Sequence, residues 1–138
     1  MKNDRQKLAA WGESRAASYL EEQGFQVIGR NVRTRSGEID IVARLDPNPP
    51  GAAVPPGEKT PLTIFVEVKT RRSTAFGYPE QAVTSNKCRH MLAAAEEYIQ
   101  LNPDYIGDWR VDVIAILYKA GSPEPEIRYF KNVTTSCI

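Results

Sequence analysis

The chain has 138 residues, 41% hydrophobic and 25% charged, with a formal net charge of +1. That size supports one domain with a real core, and that balance excludes a protein that meets nucleic acid through bulk positive charge. No apolar run approaches the about 18 residues that would span a membrane.

The basic start at 1–7 is not followed by an apolar secretory core, so the expected location is cytoplasmic. Cys88 and Cys137 have neither metal-knuckle nor redox spacing. They are expected as free thiols in a reducing compartment, with a disulfide as the alternative.

In chain order, residues 4–23 predict a helix of good helix formers without proline, with Gly24 as its C-cap. Leu8, Ala9, Gly12, Ala16, Ala17, Tyr19 and Leu20 make its apolar, small-residue side. Glu13 falls on that side by i, i+3 and i+4 spacing. It is either an acid facing inward for a purpose or a solvated acid at the margin of the stripe.

Residues 25–33 predict a strand, and 34–37 a turn. The stretch 38–44 alternates as a second strand, with Ile39, Ile41 and Ala43 on one face and Glu38, Asp40 and Val42 on the other. The stretch 45–61 carries five prolines within 47–56, of the chain's ten, and predicts a long flexible Pro/Gly-rich hairpin loop inside one domain, 1–138.

Residues 62–70 predict a third strand, with Leu62, Ile64, Val66 and Val68 opposed to Thr63, Phe65, Glu67 and Lys69. After a loop at 71–79, Pro79 opens a helix expected to run to about Leu101. A strongly apolar strand at 109–118 and a more polar edge strand at 126–133 complete the order α-β-β-β-α-β-β. The fold class is α/β, a mixed sheet flanked by helices.

Charges sit where such strands should not hold them. Glu67 and Lys69 share one face of an apolar strand, where charge is costly unless paired or bound. Asp40 lies on the preceding strand. If the two strands form a hairpin, Asp40 and Glu67 converge with Lys69 one pleat further on. Clustered oxygens suit a hard cation, Mg²⁺ or Mn²⁺. A lysine beside such a cation can orient or deprotonate water, or stabilise charge on a phosphoryl group. Around this centre stand Arg30, Arg33, Arg35, Arg71, Arg72, Lys87 and Arg89. They read as phosphate contacts or, taken alone, as a solvated basic edge. Gln81 and Lys87 are candidate substrate contacts, against an ordinary polar helix surface.

The sets Gly37-Glu38-Ile39-Asp40-Ile41-Val42-Ala43 and Phe65-Val66-Glu67-Val68-Lys69-Thr70-Arg71 resemble the PD-(D/E)XK nuclease superfamily. With Gly12-Glu13, the pattern at 16–25, Tyr98 and Arg110-Val111-Asp112-Val113, the chain resembles the YraN-type family of uncharacterised bacterial proteins. That family is similar in turn to archaeal Holliday-junction resolvases. The resemblance covers roughly 7–117. It implies a restriction-endonuclease-like core, a divalent metal and hydrolysis of nucleic acid, with DNA as the expected substrate. It implies Asp40, Glu67 and the Val68 carbonyl as metal ligands, Lys69 as the catalytic lysine, Glu13 as a helix-borne acid of the site and Glu38 as a supporting residue. Ile39 stands where the superfamily's name has proline, and the insertion before Leu62 is longer than the family pattern.

Two function classes follow: a metal-dependent endonuclease acting on DNA, branched DNA included, or a non-cleaving nucleic-acid-binding module that keeps the fold. A small-phosphoester hydrolase is a weaker third, without a glycine-rich phosphate loop to support it. Symmetric cutting of a junction would require a homodimer.

Overall fold

The computed structural model of the protein describes residues 3–46, 60–75, 77–105 and 107–134. Most of the proline-rich loop, at 47–59, lies outside the described residues, as do Phe76 and Cys137.

Helix α1, Asp4–Glu22, starts where Asn3 accepts from the Gln6 amide at 2.8 Å and Gln6 accepts from the Asn3 amide at 3.0 Å. The pair satisfies two first-turn amides that a helix cannot satisfy itself. Strands β1 (Gln26–Thr34), β2 (Gly37–Leu45), β3 (Leu62–Arg71), β4 (Asp108–Leu117) and β5 (Glu126–Phe130) form one sheet in the order β1-β2-β3-β4-β5. Neighbours are antiparallel except β3 and β4, which are parallel. A parallel pair needs a crossover, supplied here by α2, Ser85–Leu101. The α/β class, the element order and the restriction-endonuclease-like mixed sheet are as expected. Among the described residues no helix is long and apolar enough to cross a membrane.

The alternation of β3 builds both core layers. Ile64, Val66 and Val68 pack with Ala16, Ala17 and Leu20 of α1. Phe65, from the opposite face, packs with Ala94 and Ala95 of α2 and edge-on against Tyr98. A strand covered on both faces is apolar on both, which is why the charges of β3 stand out.

Four expectations need correction. The helix expected from Pro79 is two pieces: a single 3-10 turn, Pro79–Ala82, and then α2. Val83 is extended, and Thr84 starts the chain afresh by accepting from the Lys87 amide at 3.2 Å. The last strand stops at Phe130, not at 133, because Asn132 turns at φ +52 and donates its amide to Asp112. Cys88 is disulfide-bonded, so the free-thiol expectation fails there.

The fourth correction bears on the site. Ile41 and Ala43 lie in the α1-side layer, but Ile39 packs on the α2 side with Val42 and Phe65. The even alternation expected for 38–44 therefore breaks at Asp40. In the β1–β2 register Arg30 meets Ile41 and Val32 meets Ile39, which sets Asn31, at φ +51, opposite Asp40. A left-handed residue within a strand rotates the chain.

Candidate functional site

The site forms where two strands part. The β2–β3 ladder runs from Leu45 and Leu62 to Ile41 and Val66, and ends there. From Glu67 to Arg71, β3 is paired with β4, and its edge toward β2 is open. Asp40 fills the gap. Its Oδ2 accepts from the Val68 amide at 2.8 Å, replacing the carbonyl a continued ladder would have supplied.

That position presses Asp40 into hydrogen-bonding reach of Glu67, a residue only 7% exposed. Burial and then the Glu67 charge push the Asp40 carboxyl up to about 7, against the pull of the Val68 amide, with Glu13 adding repulsion. Two acids so placed share a proton or require a cation.

Glu13 arrives from the other side of the sheet. Gly12, buried on α1, lies so close to β3 that a Cβ there would run into the Thr70 hydroxyl. The missing side chain lets the helix settle against the end of the strand and brings the next residue into the cleft. Burial raises the Glu13 carboxyl. A hydrogen bond to Asn31 and the charge of Arg30, 4.0 Å away, oppose the rise, and Glu38 and Glu67 add to it. The left-handed Asn31 thus hydrogen-bonds an acid of the site.

The lysines complete it. Lys69 Nζ lies 3.0 Å and Lys87 Nζ 3.3 Å from the same Glu67 Oε1. Burial, then the neighbouring Lys87, hold the Lys69 ammonium below the ordinary lysine value, with Glu67 pulling the other way. Burial also acts against Lys87, but its contact with Lys69 and the charge of Glu67 outweigh it and the shift is upward. Lys69 is therefore the readier of the pair to give up a proton.

A cleft of about 690 Å³ opens over this arrangement, lined by Glu13, Glu38, Asp40, Glu67, Val68, Lys69 and Lys87 among others. A second cleft of about 690 Å³ shares Ala9, Glu13, Val68 and Lys69 with it and continues past Arg5, Arg71 and Arg72. Arg33, Arg35 and Gln81 do not line either cleft. Arg33 and Arg35 are exposed, Arg33 lying 3.8 Å from Glu38. Gln81 uses its side-chain oxygen on the Tyr78 amide at 2.6 Å, which shapes the turn before α2. Sequence reasoning missed Asn31, and also Asn86 and His90, which line the first cleft. It offered Lys87 as a substrate contact or an ordinary polar surface residue; the structure places it in the lining of the first cleft, 3.3 Å from Glu67. A glycine inside a helix and an asparagine inside a strand were the available signals.

Among the described residues no group of three or more His, Cys, Asp or Glu side chains is placed to hold a metal ion. The chemistry of the donor set nevertheless fits a hard divalent cation. Such ions take one or two carboxylates and leave positions for water and phosphate oxygens. Asp40 and Glu67 supply two converging carboxylates, and a cation beside them would favour the ionised form of Asp40 against the burial and the Glu67 charge that raise it.

Residues 12–116, from the middle of α1 to the end of β4, match the model of the uncharacterised protein family UPF0102. A UPF0102 protein of Syntrophomonas wolfei is 40% identical over 115 residues, covering 83% of this chain and 88% of that protein. One from Syntrophotalea carbinolica is 39% identical over 136 residues, covering 94% and 93%. One from Leifsonia xyli is 38% identical over 129 residues, covering 94% and 97%.

Proposed function

The chain belongs to protein family UPF0102, the YraN-type family, and from that premise we propose that it is a divalent-metal-dependent endonuclease that hydrolyses phosphodiester bonds in DNA. One observation carries the reading: Asp40 and Glu67 meet where β2 and β3 part, with Lys69 at 3.0 Å from Glu67. Asp40, Glu67 and the Val68 carbonyl are the groups that would hold Mg²⁺ or Mn²⁺, with Glu13, also expected as a ligand, facing the same cleft. The cation, when bound, would supply Lewis-acid stabilisation of phosphoryl charge and a more acidic water.

The chain's own residues do the rest. The water oxygen bonds to phosphorus as one ester P–O bond breaks. Lys69 Nζ orients that water and accepts its proton in the deprotonated form, or offsets phosphoryl charge as an ammonium. Lys87 lowers the hold of Lys69 on its proton, while solvent protonates the leaving alkoxide. Glu13 and Asn31 support the far wall, and Arg71 and Arg72 meet phosphates along the second cleft.

The test is cleavage of branched, single-stranded and duplex DNA with Mg²⁺ or Mn²⁺. Lys69→Ala is expected to lower the rate by roughly 10²- to 10⁴-fold. Equal activity in that variant would assign the cutting to a contaminant.

A second reading, a nucleic-acid-binding module that does not cut, is favoured by the two lysines that already neutralise Glu67 without a metal. Calorimetry separates the two. Salt-sensitive DNA binding without Mn²⁺ uptake would favour the binding module.

A further inference from the structure

Beyond Arg72 the second cleft runs into a third recess of about 280 Å³, lined by Lys7, Leu8, Trp11, Arg72 and Tyr118. Leu8 and Arg72 belong to both, so the surface is continuous from Asp40 and Glu67 to the recess. Its character changes along the way, from acids through arginines to aromatic rings. Trp11 and Tyr118 stand with ring centroids 5.9 Å apart and planes at 74°. Rings at that angle make a corner, in which one flat heterocycle can stack on one ring and meet the edge of the other. The corner is open and anchored: Tyr118 is 42% exposed, and its amide donates to the Arg71 carbonyl at 2.9 Å.

We propose that the Trp11–Tyr118 recess binds one unpaired nucleobase of a strand whose phosphates lie along Arg71 and Arg72. This rests on the phosphodiesterase reading and gives it a substrate class. Charge complementarity selects the occupant. Lys7 and Arg72 rim an otherwise apolar recess, which suits an aromatic ring joined to an anionic backbone and not a purely apolar peptide. Within continuous duplex both faces of a base are stacked. The preferred substrate therefore carries unpaired nucleotides beside the scissile phosphate, as at a flap, gap or branch.

The experiment is binding of a labelled DNA single strand, the same strand with abasic sites, and a continuous duplex, all in chelator so that nothing depends on turnover. The intact strand is expected to bind tightest. Tyr118→Ala and Trp11→Ala should each weaken it by roughly 5- to 100-fold while barely changing the abasic strand, and Trp11→Phe should recover most of the loss. Trp11 also packs against the core, so the exposed Tyr118 keeps the test valid if Trp11→Ala folds poorly. Equal losses on intact and abasic strands would overturn the proposal, as would a wild-type protein that does not distinguish them. A wild-type protein that discriminates between the strands but cuts nothing with Mn²⁺ would sink the hydrolase reading and leave the base site standing. One that cuts but does not discriminate would do the reverse.

Discussion

Two strands of the sheet, β2 and β4, each draw an acid out of bulk water, and the surroundings of the two acids differ in kind. Asp112 on β4 is fully buried. It accepts from Arg110 Nε at 2.9 Å, from the Asn132 amide at 2.8 Å and from the Tyr129 hydroxyl. Burial and then Asp112 itself push the Tyr129 phenol upward, so it keeps the proton it donates. All three partners are donors, and the cluster ties β4 to β5 and to the turn after it. Two strands over, on β2, Asp40 has one backbone amide and another acid. Burial alone does not tell a structural acid from a working one. An acid ringed by donors is at rest, whereas an acid pressed on an acid is poised for a proton or a cation.

The largest stability effect should therefore come from the resting acid. Asp112→Ala leaves Arg110 and Tyr129 without their acceptor, and is expected to destabilise the protein by about 3 kcal/mol in urea unfolding. A variant as stable as wild type would show that the donors find water equally well, and the contrast with Asp40 would collapse.

Gly12→Ala should come next, because it moves the acid that joins the two halves of the site. Alanine favours a helix by up to about 1 kcal/mol over glycine, but overpacking against Thr70 costs about 1–3 kcal/mol. The expected net is a loss of about 1 kcal/mol, with cleavage falling further than stability as Glu13 is displaced. Adding Thr70→Ala should restore part of both, since the clash lies chiefly with the hydroxyl. A stabilised Gly12→Ala protein would show that the helix does not need so close an approach.

Much of this was legible in the sequence. Strict alternation over β3 assigned Glu67 and Lys69 to one face, and the pairing of β2 with β3 brought Asp40 to Glu67. Asp40 could not be located more finely, because its position depends on a left-handed Asn31 in a different strand. Alternation assumes extended backbone throughout, and asparagine is among the few residues that leave it cheaply. Asp112 was given no role within a strongly apolar strand, because two of its three partners come from β5 and the following turn. Lys87 looked like a surface residue because the helix seemed to begin at Pro79. With Thr84 as the true start, Lys87 falls in the first turn and reaches Glu67.

The smallest effect tests the poised acid most directly. An acid whose folded pKa stands near 7, against about 4 in the unfolded chain, keeps a proton that the unfolded chain releases. The stability tied to that proton is full below about pH 4 and is lost as pH rises through about 7. Asp40→Asn never ionises and keeps an oxygen for the Val68 amide. In chelator the variant should match wild type near pH 4, gain on it up to about pH 7, and hold the gain at higher pH. Three pH units correspond to roughly 4 kcal/mol, but the cleft admits water, and a plateau of about 1 kcal/mol is the expected size. Mn²⁺ at pH 8 should then raise the melting temperature of wild type and leave that of Asp40→Asn unchanged, because the charge that destabilises the metal-free protein is the charge that would bind the ion. A stability difference independent of pH would mean that Asp40 is as well compensated as Asp112. The contrast between the two strands would then lie in geometry alone.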